Sequence, residues 1–268
     1  KYISEKEYSS GLRPKTIISY KETFDYFMSI MKEVDSVDHL TIDIFNLFFK
    51  RIKSRDRIVG KNIIKKSLAI STVKTYANKL SAFCEWLVIR NYISSNPLKS
   101  IHIPFPSYTD SKALDDQEIL KILTSLNLYL NNPLIFKRDR MIIYILTYCG
   151  LRKGELLGLR VVDIDFEKSF LRVRSETSKS KKDRYLPMNP ILIFYIKEYI
   201  EERNRSGYKT ASLIVSSIKD EGLTSHGLKH WVKKVNKISG VKFHLHRFRH
   251  SFACNLAKSN VNLAKIQK

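Results

Sequence analysis

The stretch that decides the fold reads Thr147-Tyr148-Cys149-Gly150-Leu151-Arg152-Lys153-Gly154-Glu155-Leu156. The residues before it, 137–149, read as an apolar helix. Gly150 breaks that helix, and Arg152 opens the next one beside Glu155. One helix thus ends and the next begins within three residues, with an arginine and a glutamate at the start of the second.

Working outward from this break, 115–130 reads as another helix. Downstream comes a short β region, with 169–177 and 184–188 strand-like and joined by the polar turn Ser178-Lys179-Ser180-Lys181-Lys182-Asp183. Helices follow at about 190–203, 224–238 and 246–259. The last opens with His246-Arg247-Phe248-Arg249-His250-Ser251, where His246 and Arg249 lie three apart and share a helical face.

The first hundred residues read as helices too. Ile17, Tyr20, Phe24, Phe27 and Met31 recur at three- and four-residue steps over 14–32, with Pro14 in a tolerated first-turn position. A second helix runs over about 41–51. A third follows Ser71 as N-cap, with Val73, Tyr76, Leu80, Phe83 and Leu87 on its apolar face. The basic stretch 55–66 reads as an inter-helix loop. From 98 to 113 the chain carries Pro104, Pro106, Ser107, Thr109 and Ser111 without a helical period, which is a linker. The class is mainly α with a small antiparallel β-sheet. The domains are 1–97, a linker 98–113, and 114–268.

Composition bounds the partners. The chain carries 48 Lys and Arg against 26 Asp and Glu, a formal charge of +22. Both parts are basic: residues 1–106 hold 18 against 10, and the remainder 30 against 16. A surface so basic concentrates polyanions, nucleic acid foremost. The polar faces opposite the apolar stripes carry Thr16 and Ser19 on one helix, and Lys74, Thr75, Asn78 and Lys79 on another, where short polar and basic side chains suit phosphates; solvated helix faces look the same. No apolar run is long enough to span a membrane, and no signal peptide is visible. Cys84, Cys149 and Cys254 are widely spaced in apolar surroundings, which reads as buried free thiols in a reducing cytoplasm.

Three strings together resemble the tyrosine recombinases, in particular the Xer-like and phage integrase branch. They are Gly150-Leu151-Arg152-x-x-Glu155-Leu156, the hairpin Lys179-x-x-Lys182-x-Arg184-x-x-Pro187, and His246-x-x-Arg249-His250. Gly11-Leu12 before Thr16-Ile17 and Tyr20 looks like the opening of that family's helical core-binding domain, and Asn96-Pro97 like its end. The resemblance spans nearly the whole chain. It implies a core-binding domain over 1–97, a catalytic domain over 114–268, and site-specific DNA recombination through a 3′-phosphotyrosyl intermediate.

The resemblance also assigns roles. Attack on a phosphodiester builds charge on the non-bridging oxygens, and arginine offers them a planar, permanently charged fork. Arg152 and Arg249 are expected to form that clamp, with His246 adding a hydrogen bond. Removing one such preorganised donor typically costs about 3–4 kcal/mol in rate. Lys179 matches the family's general acid, which protonates the departing deoxyribose oxygen. Lys181 and Lys182 remain competitors, or phosphate contacts. Glu155 and His250 match supporting positions. His226 and His230 lie four apart without a carboxylate or cysteine cluster, so no metal is expected, and no cofactor.

One departure stands out. The family's nucleophilic tyrosine lies beyond the second arginine, and no tyrosine follows Arg249 in these residues. Tyr148 and Tyr185, within the apolar helix and the sheet, are poor substitutes. The expectation is a chain incomplete at its C-terminus, holding the clamp and the acid without the nucleophile. It would bind double-stranded DNA at a recombination site in the cytoplasm, at the nucleoid, and form the family's tetramer more weakly than an intact protein. Alternatives are a non-catalytic module that occupies recombination sites and a type IB topoisomerase-like enzyme.

Overall fold

A first-turn proline or a capping side chain starts several helices of this chain, and glycine stops several. The computed structural model describes residues 1–59, 63–65, 67–104, 113–129, 131–177 and 182–259. The chain divides into two compact units, Lys1–Thr109 and Asp110–Lys268.

The first unit contains α1 (Tyr2–Tyr8), α2 (Pro14–Ile30), α3 (Ile42–Ser54), the strands β1 (Arg57–Val59) and β2 (Ile63–Lys65), and α4 (Ile70–Ile89). Its core joins Phe27 of α2 and Met31 at that helix's end to Phe45, Phe48 and Ile52 of α3 and Val73, Leu80 and Cys84 of α4. These are the apolar stripes legible in the sequence. Helix α1 adds Tyr2, whose buried ring lies 5.3–5.9 Å from those of Tyr20, Phe24, Phe83 and Trp86. Two expectations are corrected. The basic stretch 55–66 is not simply a loop, because β1 and β2 pair antiparallel with Ile58 opposite Ile64. Ser71 is not the N-cap of α4: the helix starts two residues earlier, after Ala69, with no side-chain cap, and the Ser71 carbonyl instead accepts from the Thr75 hydroxyl at 2.9 Å.

The second unit contains α5 (Asp116–Tyr129), α6 (Pro133–Cys149), α7 (Lys153–Leu157), the strands β3 (Ile164–Asp165), β4 (Phe170–Val173) and β5 (Arg184–Pro187), then α8 (Pro190–Arg205), α9 (Ser225–Ser239) and α10 (Leu245–Lys258). The strands form one antiparallel sheet in the order β3-β4-β5, with Leu171 opposite Leu186 and Val173 opposite Arg184. The short first strand has no counterpart in the sequence reading. Helix α6 is the spine. Asn132 caps it by accepting from the Ile135 amide at 3.0 Å, and Met141, Ile142, Ile145 and Leu146 are wholly buried along it against α8 and α10. Mainly helical with a small antiparallel sheet is therefore the observed class.

The α6–α7 corner follows from Gly150. Its φ is +55°, the left-handed region where a Cβ is strained, and a Cβ there would overlap the Phe252 ring. A glycine thus lets α10 press against the end of α6. That helix is fixed from its other side as well. The Ser251 hydroxyl accepts from the Leu114 amide at 2.6 Å and donates to the Leu114 carbonyl at 2.8 Å, while Arg247 reaches the Ala113 carbonyl and Glu118. On the same helix Cys254 is exposed, unlike Cys84 and Cys149, which corrects the reading of three buried thiols.

Candidate active site

The corner after Gly150 makes Arg152 the N-cap of α7 and Glu155 its third residue. In that position a carboxylate faces the exposed amides of the first turn. Glu155 Oε2 accepts from the Arg152 amide at 2.8 Å, and Oε1 from Arg152 Nη1 at 3.0 Å. Two more bonds arrive from Arg184 at the start of β5, Nη1 to Oε1 at 3.0 Å and Nη2 to Oε2 at 2.7 Å. Glu155 is 1% exposed. Burial alone would raise its pKa, but Arg184, the Arg152 amide and the Arg152 guanidinium outweigh that and hold it at about 2.

From α10, Arg249 Nη1 donates to the Gly150 carbonyl at 2.7 Å, which ties that arginine to the same corner. Burial lowers the pKa of Arg249 and the Arg152 charge lowers it further; Glu155 opposes this, and Arg184 adds to it. Three guanidinium groups therefore surround one carboxylate, leaving a net positive site. Arg152 keeps about a third of its side-chain surface exposed, and its Nε and Nη2 have no partner among the described residues. The arrangement is suited to holding an anion with planar, delocalised charge, a phosphate above all.

The other residues singled out from sequence are placed as follows. His246 lies in the first turn of α10, exposed, one turn before Arg249; its ring centroid is 6.3 Å from that of His244. Burial, with His246, Arg247 and His250 nearby, lowers the His244 pKa. The His250 side chain is exposed and makes no hydrogen bond among the described residues. Lys179 and Lys181 lie outside the described residues. Lys182 is exposed, next to Asp183, which closes the hairpin by accepting from Arg172 Nε at 2.9 Å and the Ser175 amide at 2.7 Å. Tyr148 is stacked on Tyr144 within α6, and Tyr185 points outward from β5.

In the first unit, Thr16, Thr75 and Asn78 are exposed and Lys74 is half-buried. Lys79 is engaged within the unit: it donates to the Ser19 carbonyl at 2.8 Å, the Ser19 hydroxyl at 2.5 Å and Thr23 Oγ1 at 3.1 Å, tying α4 to α2. A polar notch of about 360 Å³ lies beside it, lined by Ser19, Thr23, Ser71, Thr72 and Thr75.

Two features escaped the sequence reading. One is Arg184, quoted there only as part of a string. The other is the outer face of α9, where His226, Lys229, His230, Lys233, Lys234 and Lys237 are all exposed while Leu228, Trp231 and Val235 face the core. No acidic residue interrupts that stripe. His226 and His230 bring their Nε2 atoms to 3.3 Å, and no group of three or more metal-ligating side chains occurs among the described residues. No helix among them is long and apolar enough to cross a membrane.

The chain resembles known proteins along most of its length. The phage integrase family model matches residues 112–268. A tyrosine recombinase of Thermosipho africanus is 27% identical over 256 residues, covering 94% of this chain and 83% of that one. The tyrosine recombinase XerC of Escherichia coli O127:H6 is 23% identical, covering all of this chain and 85% of its own. Among solved structures, the XerH site-specific recombinase bound to a palindromic difH substrate superposes with a TM-score of 0.74 at 22% identity, covering 94% of this chain and 71% of that one. The family model covers more than half of the residues, including the arginine corner, and the chain belongs to the phage integrase family.

Proposed function

We propose that this chain acts in site-specific recombination of double-stranded DNA, as its relatives' names describe for them. One observation carries the reading: Arg152, Arg184 and Arg249 gather around a single buried glutamate at the α6–α7 corner. In this reading residues 114–268 are the catalytic domain, and Arg152 and Arg249 clamp the scissile phosphate through the charge that develops in its five-coordinate transition state. His246 donates a further hydrogen bond to the same phosphate. Lys179 protonates the leaving oxygen, and Glu155 orients Arg152. The basic stripe of α9 grips the flanking backbone.

Residues 1–97 form the core-binding domain, with Thr16, Ser19, Lys74, Thr75 and Asn78 toward the duplex. Lys79, whose three donors are engaged by Ser19 and Thr23, holds that surface in shape rather than contacting DNA.

The test is selection from a pool of random duplexes by the wild-type chain, repeated with R152A and R249A. The expected result is an enriched pair of inverted half-sites, still selected by the variants but held more weakly. Binding without sequence preference would overturn site specificity. Relaxation of supercoiled plasmid independent of any site would instead favour type IB topoisomerase chemistry.

A further inference from the structure

A carboxylate beside a phosphate clamp is a competitor for it. Its two oxygens offer about four acceptor positions, and here all four are filled. Arg184 takes one on each oxygen, the Arg152 amide takes a third, and Arg152 Nη1 takes the fourth. Arg152 thus gives Glu155 one nitrogen of its guanidinium, and Nε and Nη2 stay unengaged among the described residues. Because Glu155 is buried and charged, an unfilled position on it would draw in the nearest cation. The nearest remaining cation is Arg152 itself.

We propose that Arg184 is a positioning residue that saturates Glu155 and so keeps the free edge of Arg152 available to a DNA phosphate. The geometry is a division of labour between two arginines on one carboxylate. Arg184 is fixed by its strand, opposite Val173 in the β4–β5 register, and can meet both oxygens in parallel. Arg152 sits at a helix start and is a third exposed. Without Arg184, Arg152 would rotate its fork onto Glu155. The clamp would then lose one of its two arms while every residue assigned to it remained present.

This inference rests on the reading of Arg152 and Arg249 as a phosphate clamp, and two measurements separate the failure of one from the other. The first needs no DNA. In ¹⁵N-labelled R184M, the Arg152 Nε–H signal, assigned by its loss in R152K, should shift and exchange more slowly with water than in wild type. Adding E155Q to R184M should return it toward the wild-type position. An Arg152 signal unchanged by R184M would sink the proposal.

The second measurement is the salt dependence of binding to the duplex selected by the wild-type chain. R184M should lower the slope of log K against log salt by about one, as for loss of one phosphate contact. The double variant R184M/E155Q should recover at least half of that loss, because it removes the competing carboxylate. A purely structural Arg184 gives the opposite order, with the double variant no better than the single. R184K keeps a cation opposite Glu155 and is the variant to use if R184M does not fold; it should fall between wild type and R184M in both measurements. If R152A leaves binding to that duplex unchanged, the clamp reading fails, while the Arg152 signal still decides what Arg184 does.

Discussion

Glu155 illustrates how one buried residue sets a pH limit. Its folded pKa of about 2 lies below the ordinary glutamate value of 4.5. A group with a depressed folded pKa contributes stability that is fully present above its unfolded pKa and is lost as pH falls through the folded one. For Glu155 that window runs from about pH 4.5 down to about 2, and the linkage amounts to roughly 3 kcal/mol. Glu155→Gln should therefore destabilise the protein at pH 7 by removing the charge that Arg152 and Arg184 share. The difference in melting temperature between the variant and wild type should shrink as pH is lowered toward 2. Thermal melts at a series of pH values check this, and a difference that stays constant with pH would show that Arg184 and Arg152 do not hold the carboxylate ionised.

At the scale of elements, the corner depends on a backbone conformation as much as on charge. Gly150 combines a φ of +55° with a Phe252 ring lying where a Cβ would be, and its carbonyl receives Arg249. Gly150→Ala should cost about 2 kcal/mol or more, combining left-handed strain with displacement of the ring. A loss under about half a kcal/mol in denaturant titration would mean that α10 accommodates the methyl freely. The break at Gly150 was legible because a glycine after an apolar helix is a local signal, as were the stripes of α2 and α4. The hairpin of β1 and β2 was hidden because its strands are three residues each, among lysines and arginines that suit a loop equally well. Helix α1 was hidden for a related reason: seven residues with one buried side chain carry no period. From local pattern the site was legible only where sequence neighbours form it, and Arg249 entered through the resemblance alone. Arg152 and Glu155 lie three apart, whereas Arg184 meets Glu155 from 29 residues away and Lys79 meets Ser19 from 60. Such pairings are made by the packing of elements, and no local pattern announces them.

At the scale of the whole molecule, the clamp and the nucleophile are separate questions. Arg152, Arg184 and Arg249 are held together by contacts inside the second unit, so the clamp proposed above needs no attacking group in order to form. Within the 268 residues no tyrosine follows Arg249. Of those that precede it in the second unit, Tyr199 is buried and bonded to the Leu213 carbonyl, Tyr148 is stacked on Tyr144, and Tyr185 stands on the outer face of the sheet. Binding and cleavage should therefore come apart. The 268-residue chain should bind the duplex it selects, with affinity falling steeply as salt rises because a +22 protein releases many counterions. On a nicked substrate that traps cleavage, it should leave no adduct that survives denaturing electrophoresis. An adduct formed by residues 1–268 alone would show that one of the tyrosines before Arg249 reaches the phosphate, and mass spectrometry of the linked peptide would name it.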